Sequence, residues 1–368
     1  MKRSKNTMKR SARVFLNDLN QGKAEELRAF LYLCHDVLQY FTDVFWARGE
    51  MTAKFADLET VHLATNRFGI TTRLSQGLAK QAMEIVASQR KKPTKERKKP
   101  ALRRHVVTLF YHFLRLEEFK GEEFDFAAVF VGSGAPRLAA PFRSTAPINQ
   151  FLSDGWTISK TIRLGIRRGR WWIELIFEKE RPEPKTEGRV VGMDSNYRNG
   201  LVFSDGQQVG QKLHARVQIF DKREKHTRQQ IKEELAREIK KIDLAEVKTV
   251  VVEDLKKVKD GKRGTFSRTM NRRLSHWQYA YAVDLLERRC EFEGVRLERK
   301  DPWKTSQHCP ACGRWDKRNR RGDKFCCVFC GYSDHADFKA AKTLELLGLA
   351  GAYGLRSLPN LTFASVQN

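Results

Sequence analysis

Between Lys23 and about Gly49 the apolar side chains recur mostly at steps of three or four: Leu27, Phe30, Leu31, Cys34, Leu38, Phe41 and Phe45. One face of a 3.6-residue helix gathers all of them, so an amphipathic helix is expected there. A second helix, from roughly Thr71 to Ser88, repeats the spacing with Leu74, Leu78, Ala82 and Ile85, and the two begin a small helical bundle. A short strand, Ala12 to Leu16, precedes them behind a basic leader. Residues 90–99, RKKPTKERKK, place seven basic side chains around Pro93, with Pro100 just beyond. Proline and like-charge repulsion predict a linker, either merely solvated or in contact with phosphate.

The pattern then changes period. From about Arg104 to Glu180, β-rich runs fall at Val106–Phe113, Phe126–Val131 and Trp156–Leu164. The alternating stretch of residues 161–180 reads as a hairpin turning near Arg168–Gly169. A compact β-barrel or sandwich is expected. Trp171 and Trp172 must face opposite sides of their strand, which predicts one in the core and one open to stacking. Pro182, Glu183 and Pro184 mark a boundary. Beyond it, residues 189–194, 200–206, 248–254 and 294–301 read as strands. Lys222 to Asp243, Leu274 to Glu293 and Ala336 to Leu349 read as helices. Strands interleaved with helices predict an α/β domain.

Composition sharpens the picture. The chain has 368 residues, 40% of them hydrophobic, with 23 Phe and 7 Trp, so it can bury more than one core. Seventy Lys and Arg against 44 Asp and Glu leave a formal charge of +26. Such self-repulsion does not help folding, and a polyanionic partner explains it best; ribosomal and membrane-surface proteins are the other classes with this balance. No window approaches the roughly 18 apolar residues of a membrane span. The basic N-terminus lacks the apolar stretch of a signal peptide. A cytoplasmic location is therefore expected, nucleoid-associated when DNA is bound, with no membrane partner.

Five of the seven cysteines lie within residues 309–330. Cys309-Pro-Ala-Cys312 and Cys327-Val-Phe-Cys330 form two CxxC pairs, each followed by a glycine, Gly313 and Gly331. Four thiolates on two tight knuckles suit one tetrahedral Zn²⁺ and leave no open position, so a structural zinc is expected. Cys326 adjoins Cys327, but only Cys327 keeps the spacing. Three acids stand where strands end or a helix begins: Asp194 after Val190, Val191 and Met193; Glu253 after Val250, Val251 and Val252; Asp337 at the start of the last helix. Three converging carboxylates repel one another unless cations intervene, and Mg²⁺ prefers such oxygens. An acid after a strand also serves as a helix cap or surface charge, so spacing alone leaves both roles open.

Order and flanking residues add what spacing lacks. DPWKTSQHCPACG (301–313) followed by FCCVFCGYSDHADFKAAKTL (325–344) resembles the C-terminal signature of TnpB proteins, transposon-encoded RNA-guided nucleases related to the compact type V CRISPR effectors. VGMDSNYRNGLVFSDG resembles their first RuvC segment and VVVEDLKKVK their second. The resemblance is dense over residues 189–344 and architectural before that.

It implies a multi-domain α+β protein. Residues 1–22 and 101–185 would form a β-barrel wedge-like domain, and residues 23–100 a helical recognition domain with its basic linker. Residues 186–368 would form an RNase H-like (RuvC) α/β nuclease domain, with a zinc ribbon inserted at about 303–335. Asp194, Glu253 and Asp337 would be the catalytic acids holding Mg²⁺, as two ions. Cys309, Cys312, Cys327 and Cys330 would hold zinc. The partners would be a guide RNA and target DNA bearing a short flanking motif; the oligomeric state stays open.

Two segments depart from the family pattern. The first reads Asp194-Ser195-Asn196 where the family often has Asp-x-Gly. The third reads Ala336-Asp337-Phe338-Lys339 where the family has Arg-Asp-x-Asn. The activity expected is Mg²⁺-dependent DNA cleavage by an RNA-guided endonuclease. The alternatives are a nuclease-inactive RNA-guided DNA-binding repressor and a zinc-ribbon RNA-binding protein with a degenerate nuclease fold. Among basic segments, the helix carrying Lys222, Arg223, Lys225, Arg228, Lys232, Arg237, Lys240 and Lys241 also bears glutamates and reads as a mixed face. Lys256–Arg273, with eight Lys or Arg and one acid, Asp260, is the better nucleic-acid contact.

Overall fold

The computed structural model describes residues 6–48, 57–103, 105–119, 123–132, 134–196, 198–213, 224–255 and 279–366. The chain divides into two compact units, Met1–Glu180 and Arg181–Asn368.

In the first unit the predicted helices are α1 (Gln21–Ala47) and α3 (Thr72–Arg90), with α2 (Leu58–Phe68) between them. Every apolar residue that defined α1 in the sequence is buried. Asn20, Asp57 and Thr71 start the three helices, each side-chain oxygen accepting an N–H of the first turn. Helix α2 escaped the hydrophobic pattern for a physical reason. It buries only Thr60, Val61 and Ala64, while Leu58 and Leu63 face outward, so its apolar period is broken. A short α4 (Ala146–Ser153) buries Ile148 alone and has a proline in its first turn.

Strand β1 (Thr7–Phe15) begins earlier than expected, because nine residues pair antiparallel with β7 (Arg170–Glu180). β6 (Thr157–Arg167) and β7 form the predicted hairpin, with Arg168 and Gly169 both at positive φ, 52° and 76°, as a tight two-residue turn requires. With β2 (Val106–Phe110) they make a four-stranded sheet, order β1-β7-β6-β2. β3 (Leu114–Glu118), β4 (Phe126–Phe130) and β5 (Leu138–Phe142) make a separate antiparallel sheet. β5 contains Pro141 and is tolerated because it lies at the edge.

The expected β-barrel is therefore corrected: among the described residues neither sheet closes. A barrel needs its last strand hydrogen-bonded to its first. Here β2 passes into β3 through a tight turn, Tyr111 to Phe113, and each ladder ends with free edges. The expectation for the tryptophans is corrected as well. Trp171 and Trp172 are each 4% exposed. Gly165 leaves room for the Trp172 ring on one side, and the Arg13 guanidinium covers it at 3.8 Å.

The second unit follows the α/β reading. β8 (Arg189–Asn196), β9 (Gly200–Phe203), β10 (Gln208–Val209), β11 (Val247–Glu253) and β12 (Arg296–Lys300) form one sheet, order β10-β9-β8-β11-β12. β8, β11 and β12 run parallel, and β9 and β10 are antiparallel. One face packs Val191, Met193, Val250 and Val252 against α5 (Glu224–Ile239) and α6 (Tyr279–Phe292). The other packs Val190 and Val251 against Leu344 and Leu347 of α7 (Ala336–Leu349).

Helix α7 lies almost on the sheet backbone. A Cβ on Gly192 would run into the Ala341 carbonyl and come within 2.5 Å of the Glu345 nitrogen. That close approach sets α7 across β8 and fixes where its N-terminus points. No helix among the described residues is long and apolar enough to cross a membrane. Lys222, Arg223 and the basic stretch Lys256–Arg273 lie outside the described residues. On α5, Arg237 pairs with Glu234 at 3.3 Å, in keeping with a mixed face.

Candidate carboxylate and cysteine site

Parallel pairing of β8 with β11 sets Met193 opposite Val252, which brings Asp194, two residues before the end of β8, beside Glu253, the last residue of β11. Asp337 is the second residue of α7, capped by His335 and fully buried. The three acids, separated by up to 143 positions in the chain (337 − 194), meet at one end of the sheet. Asp194 keeps an opening to solvent, yet protein surrounds most of its carboxyl. Burial pushes its pKa well above the ordinary value, and the charges of Glu253 and Asp337 push the same way; Arg320 and Lys339 oppose them.

Asp337 is held on every side. Asn196 donates to Oδ1 at 2.8 Å and Asn199 to Oδ2 at 2.6 Å. Arg320 approaches Oδ1 at 3.4 Å. Glu253 Oε1 accepts the Thr305 hydroxyl at 2.6 Å. Lys339 is wholly buried beside the acids; burial, reinforced by the Arg320 charge, brings its pKa down to about 7.

Sequence reasoning missed the roles of Asn199, Arg320 and Lys339 and left that of Thr305 unassigned. Arg320 sits in the ribbon, 17 positions before Asp337 (337 − 320), with no spacing rule to link them. The guanidinium and amide groups absent from the sequence around Asp337 thus arrive from other elements.

The donor set suits a hard divalent cation: three mutually repelling carboxylates, with Asp194 raised by burial and by its two neighbours. Their oxygens do not close to the 4.8 Å mutual spacing that the cysteine sulfurs reach. Ions some 3.5–4 Å apart, each taking part of the set, accommodate that wider spread. The sign of the Asp194 shift makes a prediction. A raised carboxyl pKa contributes stability that is complete below 3.8 and is lost as pH rises through the raised value. Cation-free protein should therefore lose thermal stability over that window. Mg²⁺ at a hundredfold excess over its Kd should restore about 2.7 kcal/mol. Melting curves across pH with and without Mg²⁺ check this, and Asp194→Asn should flatten the difference. Superimposed curves at every pH would remove the ion site.

The four cysteines form the tighter cluster. Their sulfurs all lie within 4.8 Å of one another, with Cys309–Cys330 at 3.7 Å and Cys312–Cys327 at 3.6 Å. A tetrahedron with arms of 2.3 Å has edges of about 3.8 Å, so the set fits one metal ion. The two knuckles are equivalent: Gly313 and Gly331 have φ of 73° and 74°, and each donates its N–H at 2.9 Å to the carbonyl of its first cysteine. Burial raises Cys309 and Cys312 above the ordinary thiol pKa. At Cys327 burial is outweighed by the N–H groups of Cys330 and Phe329, which help bring it down to about 7. Cys326 is exposed and stays outside the cluster. The short strands β13 (Arg320–Arg321), β14 (Lys324–Cys326) and β15 (Ser333–His335) form a small sheet whose β14–β15 turn is the second knuckle, an antiparallel bridge between His308 and Trp315 brackets the first, and Phe325 is buried against Cys309 and Cys327.

Fold and site define a class: a mixed α/β unit with acids gathered at the ends of parallel strands and a four-cysteine knuckle just ahead of the last helix. Comparison with known proteins shows what that class resembles. Residues 279–344 match the family described as Cas12f1-like, TNB domain. The CRISPR-associated endodeoxyribonuclease Cas12f1 of Sulfoacidibacillus thermotolerans is 32% identical over 99 residues, 27% of this chain and 22% of that protein. Among solved structures, a Cas12f1–sgRNA–target DNA complex matches with a TM-score of 0.55 at 14% identity, over 88% of this chain and 81% of that one. The mini-RNA-guided endonuclease Cas-phi3 matches at a TM-score of 0.47 and 9% identity over 92% of both chains. The C-terminal part of the chain is thus similar to the Cas12f1-like family, and the chain as a whole shares its fold with a Cas12f1 structure.

Proposed function

We propose that the protein is an RNA-guided DNA endonuclease with a RuvC-like, RNase H-fold catalytic domain. The convergence of Asp194, Glu253 and Asp337 at one end of the sheet carries the reading. Asp194 and Glu253 would hold Mg²⁺ from the strand ends and Asp337 from the helix. When bound, the ions supply activation of water and charge neutralisation at the scissile phosphodiester. Asn196, Asn199 and Arg320 keep Asp337 oriented. Oδ1 accepts from both Asn196 and Arg320, whereas Oδ2 accepts from Asn199 alone and keeps a lone pair for coordination. Cys309, Cys312, Cys327 and Cys330 would hold a structural Zn²⁺.

In this proposal residues 186–368 form the nuclease domain with the ribbon at about 303–335. Residues 23–100 form the recognition domain, and residues 1–22 with 101–185 the wedge. Pairing with a guide RNA would select the target, and the charge of +26 matches a partner of phosphates. A second reading, guided binding without cutting, draws on the three donors that already occupy most of the acceptor sites of Asp337.

One experiment separates the two. RNA that copurifies with the full chain is sequenced, and a matched double-stranded DNA library with randomised flanks is supplied with Mg²⁺. Cut targets sharing a flank support the nuclease; targets retained but intact support the repressor. Absence of any guide-matched retention removes both.

A further inference from the structure

The cysteine ribbon and the acids are joined by a chain of buried polar contacts that neither site needs for itself. Thr305, 2% exposed, points its hydroxyl at Glu253 Oε1, 2.6 Å away. The Pro302 carbonyl lies 3.1 Å from the same hydroxyl, but the shorter contact to the charged acceptor takes the proton. The Thr305 carbonyl in turn accepts the ammonium of Lys339 at 2.6 Å.

That ammonium also lies 4.5 Å from the ring centre of Phe325, the residue packed against Cys309 and Cys327. Burying an ammonium is costly unless its surroundings compensate, and here a carbonyl, a ring face and the nearby acids do so. Asn319, 1% exposed, closes the chain: it donates to the Gln307 carbonyl at 2.9 Å and accepts the Val328 N–H at 2.9 Å. The segment carrying Thr305 is thus clamped to the second knuckle from one side and to α7 from the other.

We propose that Thr305 is a positioning residue for Glu253, held in place by Lys339 and Asn319, so that the loaded cysteine ribbon sets the geometry in which the carboxylates take a divalent cation. This rests on the ion-binding reading of Asp194, Glu253 and Asp337. A glutamate has three side-chain torsions, and a hydroxyl fixed 2.6 Å from Oε1 restrains the carboxylate against repulsion by neighbouring negative charge. The Thr305 hydroxyl removes that freedom in advance. A role in the turn alone, through the Pro302 carbonyl, would leave Glu253 unaffected by its loss.

The test uses the full chain, Mn²⁺ as the probe and electron paramagnetic resonance to count free ion. Thr305→Val and Thr305→Ala should each weaken Mn²⁺ binding by about 10–100-fold, the range usual for partners of metal ligands, while Thr305→Ser should stay within about threefold of wild type. Zinc content and melting temperature should be unchanged in all three. The Mn²⁺ concentration for half-maximal DNA cleavage should move by the same factor as the affinity. Wild-type Mn²⁺ affinity in folded, zinc-loaded Thr305→Val and Thr305→Ala would overturn the proposal, as would a serine variant as weak as the alanine. Asp194→Asn is the control: if it binds Mn²⁺ as wild type does, the carboxylate reading itself fails, whatever Thr305 does.

Discussion

Asp194→Ala should leave a folded protein that retains guide RNA, binds matched DNA and cuts it at least about 10³-fold more slowly, a loss of roughly 4 kcal/mol in barrier stabilisation. Asp194 is raised by burial and by its charged neighbours, so its removal takes a ligand from the site while relieving repulsion. The variant should therefore melt no lower than wild type in the absence of Mg²⁺. Glu253→Ala and Asp337→Ala should match it in cleavage, since all three acids contribute to one cluster. They should differ in stability. Asp337 is fully buried, and its loss leaves Asn196, Asn199 and Arg320 without their acceptor. Single-turnover cleavage and filter binding, measured side by side, check the expectation. Cleavage by Asp194→Ala at the wild-type rate would refute the assignment of chemistry to this end of the sheet.

Disrupting the four-sulfur cluster should have the largest effect on stability. Cys309→Ser combined with Cys330→Ser removes two of the four sulfurs, one from each knuckle. Structural zinc contributes about 10–16 kcal/mol of apparent binding free energy in isolated finger peptides, and that free energy is folding free energy. The ribbon's own core is too small to replace it: Phe325 with Cys309 and Cys327 are its buried apolar residues. Wild type should carry one zinc per chain by elemental analysis and the double variant none. The variant should also lose protection from proteolysis across residues 303–335. Cleavage should fall with it, because Thr305 and Arg320 reach the acids from this segment. A double variant that keeps its zinc and resists protease would exclude the four-sulfur site.

Much of the fold was legible wherever burial is continuous along one element. The periods of α1 and α3 show directly in their sequences, as do the valine runs of β8 and β11, because each buries a full face. Elements that bury little left weak traces. Helix α2 exposes Leu58 and Leu63, α4 buries one residue, and β5 carries a proline that only an edge allows. The barrel expectation erred because alternation along strands specifies their faces and not which edges meet.

The candidate site divides in the same way. The cysteine knuckles were determined by the sequence by itself, since all four sulfurs lie within 22 residues and two short turns place each pair. Spacing also separated Cys327 from Cys326. The order of the three acids was readable, and the family resemblance rests on it. What surrounds them was decided only by tertiary structure. Asn196 at the end of β8, Asn199 in the turn after it, and Thr305 and Arg320 from the ribbon segment reach the carboxylates across gaps of 17 to 141 positions. Local pattern encodes which side of an element is buried; which distant polar group fills the last hydrogen bond depends on how elements pack. Gly192 shows the dependence most simply: its missing side chain lets α7 settle onto β8, and from that seat Asp337 meets its partners.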